Sequence, residues 1–320
     1  MKGFFEKLSE SVSSLVGSKD TGSKVNNTPV HFECQNLEKL VRTKLQKASG
    51  KITVQNMLEL NRLDFDGEER DNSEWIASLG GLEAATNMTV LNISISDIKD
   101  LTPIQGLKNL KVLNISVNKV KDITPVQGLT RLKKLNLSVN VIRVITPIQR
   151  LTNLTVLNLW GNKIKDMTPV RRLTGLKELN MSVNEVKDIA AVQLLTKLVE
   201  LSLSFNGFKD ITPLKGITTA CTQSGLEGDE SEESSEPKTV TQGLTNITEL
   251  DLSFNEIDDL SPIKDMTKLT SLFLGLNKIE DVSPLQEMKE LKQLTLENNP
   301  LPQTQLDNIR KALPDTNIDF

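Results

Sequence analysis

The sequence predicts an α/β solenoid. It is a curved rod with a parallel β-sheet on its concave side, 3₁₀ or extended segments on its convex side and a helical N-terminal cap. Three observations carry this. The unit LKNLKVLNISVNKVKDITPVQG, ending at Gly128, recurs along most of the chain, so that Asn118 is repeated as Asn140, Asn162, Asn184 and Asn206, each 22 residues on. After one longer gap the same asparagine returns as Asn255, Asn277 and Asn299, and Ser96 holds its place one unit upstream. A fixed period of this size means that each unit is one turn that cannot bury its apolar side alone and must stack on its neighbours. A unit of 22 residues leaves room for a strand and a tight return, but little for a full outer helix.

Within one turn, Leu113 and Ile115 alternate with outward residues, as a half-buried strand requires. Asn118 then bends the chain, and its amide can satisfy backbone groups left open inside the bend. Asn118, Asn140, Asn162, Asn184, Asn206, Asn255, Asn277 and Asn299 are therefore assigned a structural role. Val120 and Ile123 return to the core. Thr124 and Pro125 follow, the threonine as a cap and the proline at the first helical position, where its missing N–H would be unpaired anyway. The same column holds Pro103, Pro147, Pro169, Pro213, Pro262 and Pro284, with Ala191 in place of one. Stacked at about 4.8 Å, the turns make a rod roughly 40 Å long.

Residues 1–30 form a leader in which Phe4, Phe5, Leu8, Val12, Leu15 and Val16 share one helical stripe. It is read as a short helix that docks on the cap or a partner. Contact with a membrane surface and an export signal are the alternatives. Glu6, Lys7 and Glu10 interrupt the apolar run, so a secretory signal peptide is not expected, and no stretch is long enough to span a bilayer. A cytoplasmic location is expected, with export by a non-Sec route as the alternative. Residues 31–62 are a helical cap, in which Asn36 precedes a stripe of Leu37, Leu40, Val41 and Leu45, Gly50 breaks the helix, and Thr53 opens a second short one.

The solenoid occupies residues 63–300. Its first turn is longer than the rest and carries Asp64, Asp66, Glu68, Glu69 and Asp71 around Gly67. The spacing is not that of a calcium loop, and no metal is expected. Asn206 and Asn255 are 49 residues apart rather than 22, which defines an acidic insertion at about 217–243, expected to be disordered. Residues 301–320 close the rod with a helix from Gln305 to Leu313 and a last strand from Asn317 to Phe320 that covers the open sheet edge.

The net charge of −4 conceals a split: residues 101–177 carry 14 Lys/Arg against 2 Asp/Glu, a net of +12, whereas residues 178–320 carry 12 against 25, a net of −13. Enzymatic activity is not expected. The single histidine, His31, precedes the cap, and no nucleophile–base arrangement, phosphate loop or metal motif occurs. No cofactor is expected. Nucleic acid fits the basic block by charge, but the block has one aromatic residue, Trp160, and so no stacking platform. Cys34 and Cys221 are read as two free thiols.

A binding function would lie on the concave face, whose exposed columns follow from the repeat. One column holds Asn92, Asn114, Asn136, Asn158 and Asn180, then Ser202, Asp251, Phe273 and Thr295; stacked amides bonded along the sheet are expected there. The next is serine-rich and broken by Trp160, a residue type enriched in binding anchors. A third runs Val112, Lys134, Val156, Glu178, Glu200, Glu249. Trp160 and Phe273 are the candidate apolar anchors, with Glu178, Glu200, Glu249 and Asp251 as an acidic rim for a basic protein or peptide. Phe205 and Phe254, in the motif LSFN, are expected to pack into the core at the strand–turn corner. A monomer is expected.

The order L-x-x-L-x-L-x-x-N-x-L resembles the leucine-rich repeat. The segment from His31 to Arg42, with Lys44, Gly50 and Ile52-Thr53-Val54, is similar to the N-terminal cap of bacterial internalin-like proteins, and Leu301-Pro302 through Phe320 resembles their closing cap. The resemblance covers residues 31–320 and implies a non-enzymatic protein-protein interaction module. Its alternatives are an exported effector or adhesin that meets host proteins, and a membrane-surface scaffold held by the leader. Surface members of that family also carry a signal peptide and a wall anchor or immunoglobulin-like domain, which this sequence does not show.

Overall fold

The computed structural model describes residues 26–68, 70–215, 217–220 and 239–320. The amphipathic leader, Glu69, Cys221 and the acidic centre of the insertion lie outside them. Two helices open the described chain, α1 (Gln35–Lys44) and α2 (Val54–Met57). Thr53 caps α2 through a reciprocal capping box with Asn56. Asn36 does not cap α1, which begins one residue earlier. Its amide instead donates to the carbonyls of Ser73 (2.8 Å) and Trp75 (3.0 Å), tying the cap to the long first turn.

The strands β1 (Arg62–Asp66), β2 (Val90–Ser94), β3 (Val112–Asn114), β4 (Lys134–Asn136), β5 (Val156–Asn158), β6 (Glu178–Asn180) and β7 (Glu200–Ser202) stack in parallel and in register. β8 (Ile217–Ala220) and β9 (Thr239–Gln242) pair antiparallel as a separate ribbon at the flanks of the insertion. The sheet resumes with β10 (Glu249–Asp251), paired directly with β7, and continues through β11 (Ser271–Phe273), β12 (Gln293–Thr295) and β13 (Asn317–Asp319). The insertion is thus spliced between turns without disturbing the ladder. β13, held by helix α3 (Gln303–Ala312), covers the far edge, and Arg310 lies over the Phe320 ring at 4.4 Å.

Each turn contributes the same core. Leu113, Ile115, Val120, Ile123, Val126, Leu129 and Leu132 are all fully buried, and their counterparts continue this column along the rod. The buried turn asparagines tie one turn to the next. Asn140 Oδ1 accepts from the Val120 N–H (2.8 Å), while its Nδ2 donates to Ile115 O (2.9 Å) in the preceding turn and to Leu137 O (3.1 Å) in its own. An apolar residue here would strand these backbone groups inside the core.

The outer turn is capped by a residue that the repeat contains but whose role its spacing does not announce. The 3₁₀ segments begin at Thr124 and its equivalents, with proline next. Their acceptor is the aspartate two residues ahead: Asp122 Oδ1 accepts from the Thr124 N–H at 2.8 Å and from its hydroxyl at 2.6 Å. Asp100, Asp166, Asp188, Asp210, Asp259 and Asp281 do the same toward the N–H two residues on. The threonine expected as the cap is the donor, because its side chain already lies inside the turn it would have to cap.

Candidate functional site

The parallel register places Glu178 beside Glu200 and Glu200 beside Glu249 on β6, β7 and β10. Neighbouring strands are about 4.8 Å apart, so the three carboxylates form one row across the concave sheet. Each has an interaction within the fold. The row from Val112 to Glu249 nonetheless holds one cation, Lys134, against three acids. Asp251 is the register partner of Phe273, one strand further along.

Trp160 and Phe273 are both half-buried. They do not meet. Trp160 follows β5 and Phe273 sits on β11, four strand spacings away, which is about 19 Å. A ligand that touches both must lie along the solenoid axis, alongside the glutamate row.

The amide column behaves differently from the expectation. One bond along the sheet is present, from Asn114 Nδ2 to Asn92 Oδ1 (2.8 Å). The recurrent contact is local: Asn114, Asn136, Asn158 and Asn180 each accept from the N–H two residues on, all at 3.0 Å. These asparagines close the strand end, which is why poor strand formers are tolerated there. Asp251 does the same toward the Ser253 N–H (3.0 Å), so part of its acceptor capacity is already used.

Phe205 and Phe254 reverse the expectation. They are 47% and 39% exposed and stack on one another, with ring centroids 3.6 Å apart and planes at 17°. The cause is backbone conformation. The residue before each turn asparagine takes a left-handed conformation, with φ of 54° at Phe205 and 56° at Phe254, and this swings its side chain out of the core to the edge of the concave face. Ile95, Val117, Val139, Val183 and Leu276 occupy the same column. The signal that would have revealed it is Gly161 and Asn298, residue types that favour this conformation, in that column.

Among the described residues, the acidic side chains of the first turn do not converge. Asp64 pairs with Arg62 (2.7 Å), Asp71 Oδ1 accepts from the Ser73 N–H (2.9 Å) and Glu74 pairs with Arg70 (2.9 Å). Cys34 is buried at the start of α1 and forms no disulfide among the described residues. No helix among the described residues is long and apolar enough to cross a membrane.

The family model described as leucine-rich repeats in two copies matches residues 76–128, 130–172 and 245–287. No curated protein sequence matches the chain. Among solved structures, the internalin InlF of Listeria monocytogenes is 26% identical, with 92% of this chain and 91% of that one covered at a TM-score of 0.58. A leucine-rich-repeat protein of Leptospira interrogans is 25% identical over 83% of this chain and 73% of its own, at a TM-score of 0.56. The plant peptide hormone receptor RGFR1, solved in complex with RGF2, shares the fold at 19% identity and a TM-score of 0.56, with 73% of this chain and 36% of the receptor chain covered. Leucine-rich-repeat proteins of these kinds are typically non-enzymatic interaction modules. With its repeat, its two caps and a likeness along nine-tenths of both chains, this chain has the leucine-rich-repeat fold and is similar to bacterial internalins.

Proposed function

We propose that the chain is a non-enzymatic module that binds a basic protein or peptide segment along its concave face, between Trp160 and Phe273. The observation that carries this reading is the in-register row of Glu178, Glu200 and Glu249. Three carboxylates on neighbouring strands give this part of the concave face a negative potential that is complementary to basic side chains of a partner. Trp160 at one end and Phe273 at the other supply apolar anchors, and the stacked Phe205–Phe254 pair adds a third on the edge of the same strands. The fold relative RGFR1, in complex with RGF2, is a peptide receptor on the same scaffold.

The test is affinity capture with this chain as bait, in parallel from lysates of the producing organism and of host cells. Trp160→Ala and the Glu178→Gln/Glu200→Gln pair serve as controls. A captured partner should be basic, released by salt and lost from both variants. A partner retained unchanged by Trp160→Ala sinks the site. Capture from the organism's own cytosol supports an intracellular scaffold, and capture from host lysate alone supports an exported effector.

A further inference from the structure

One turn breaks the outer pattern of the repeat. Between the turn asparagine and the 3₁₀ segment, its neighbours read Lys119-Val120-Lys121-Asp122 and Lys163-Ile164-Lys165-Asp166, whereas this turn reads Val141-Ile142-Arg143-Val144. The second residue of each set is buried and the rest face outward. Val141 is consequently 38% exposed and Val144 64%, the highest value for a large apolar side chain among the described residues.

The substitution has a structural cost. Asp122 and Asp166 each accept the N–H that opens the following 3₁₀ segment, at 2.8 Å in both turns. Val144 offers Thr146 no acceptor. Loss of such a cap lowers stability. A turn that forgoes a cap in order to expose two valines departs from the local rule without any gain inside the fold.

The stacking defines what surrounds them. The Val141 N–H donates to Val120 O (3.0 Å), and the Lys163 N–H donates to Ile142 O (2.9 Å). The valines therefore lie between the Lys119–Lys121 turn and the Lys163–Lys165 turn, with Arg143 among them. Lys119 pairs with Asp97 and Lys165 with Glu185, while Asp122 and Asp166 point into their own caps. Lys121, Arg143 and Lys163 face solvent around the valines. The patch is apolar at its centre, with Lys121, Arg143 and Lys163 at its rim and the capped carboxylates of Asp122 and Asp166 at the register positions on either side of Val144. It sits in the block of residues 101–177 that carries 14 basic residues against 2 acidic.

We propose that this flank is a second docking surface, separate from the concave face, for an acidic peptide segment that carries an apolar side chain. The apolar residue lies over Val141 and Val144, and its flanking carboxylates meet Lys121, Arg143 and Lys163. A nucleic-acid strand matches the charge but not the valines, since its bases need aromatic faces and Trp160 is on the concave side.

The test measures anisotropy of a fluorescein-labelled peptide of alternating Glu and Leu, titrated with the full chain. An all-Glu peptide and an alternating Lys–Leu peptide are the controls. The variant is Val141→Lys/Val144→Asp, which restores the residues of the neighbouring turn and should melt at or above the parent's temperature. Expected are binding of the Glu–Leu peptide alone, at least about tenfold weaker binding by this variant and unchanged binding by Trp160→Ala. The proposal is overturned if the Glu–Leu peptide does not bind, if the all-Glu or Lys–Leu peptide binds as well, or if the folded variant binds within twofold of the parent.

Discussion

Replacing Asn162 by alanine tests how the turns are held together, and the structure sets the size of the effect. Asn162 is 8% exposed. Its Oδ1 accepts from the Ile142 N–H (3.0 Å), and its Nδ2 donates to Leu137 O and Leu159 O (3.0 Å each). The two carbonyls are shared: Leu137 O also accepts from Asn140 and Leu159 O from Asn184. Alanine therefore orphans one buried donor outright, at about 1–3 kcal/mol, and removes one of two bonds from each carbonyl, for a total of about 2–4 kcal/mol. Urea unfolding followed by far-ultraviolet circular dichroism reads this as a lower midpoint at constant slope. The same change at Asn299, which is half-buried at the closing end, should cost less because water reaches its partners. Asn162→Asp should be worse than alanine at neutral pH, since its second oxygen would face two carbonyl acceptors. Such a carboxyl has a raised folded-state pKa, so this variant should lose stability as pH rises from the ordinary aspartate value, about 3.9, through the raised folded one. A loss below about 1 kcal/mol for Asn162→Ala would refute the reasoning, because it would mean that water takes over the ladder.

Three further outcomes follow. Val144→Asp alone should raise stability by up to about 1 kcal/mol, and more in higher salt, where repulsion from Asp122 and Asp166 is screened; a thermal melt checks it. Gly67→Ala should destabilise by about 1–3 kcal/mol, since a methyl there would meet the Ile95 carbonyl, whereas Gly106→Ala, which meets nothing within 4 Å, should be nearly neutral in the same melt. Acid should weaken the outer turns. The Thr124 hydroxyl, then its N–H, holds Asp122 below the usual carboxylate range, Thr168 does the same for Asp166, and the N–H groups of Thr212 and Ser283 lead at Asp210 and Asp281. A lowered folded-state pKa means stability that is complete above the unfolded value and lost as pH falls through the folded one. Asp122→Asn/Asp166→Asn keeps the acceptor without the titration and should flatten the fall of melting temperature below about pH 4.

The two proposed docking surfaces divide along the rod in the same way as its charge. The concave row of glutamates belongs to the acidic half and the valine flank to the basic half. A solenoid permits this because each turn contacts only its neighbours, so one turn can change its outer residues without disturbing the rest. Val144 illustrates the freedom and Asn162 its limit: the first replaces a residue at the surface, the second would remove one from the interior.

The repeat period, the strand pattern, the caps and the asparagine turns were legible in the chain alone, because a solenoid repeats its local physics and nine copies average out the noise of any one. The register of the concave columns was legible for the same reason, since it follows from the period, but their exposure was not: Asn114, Asn136, Asn158, Ser116 and Ser138 are buried, because in-register strands about 4.8 Å apart close over short side chains. What only the tertiary structure decided were the choices that repetition leaves open. It turned Phe205 and Phe254 outward, because the left-handed residue before each asparagine reverses the side chain's direction. It gave the cap to aspartate rather than threonine, because the acceptor must lie ahead of the 3₁₀ turn.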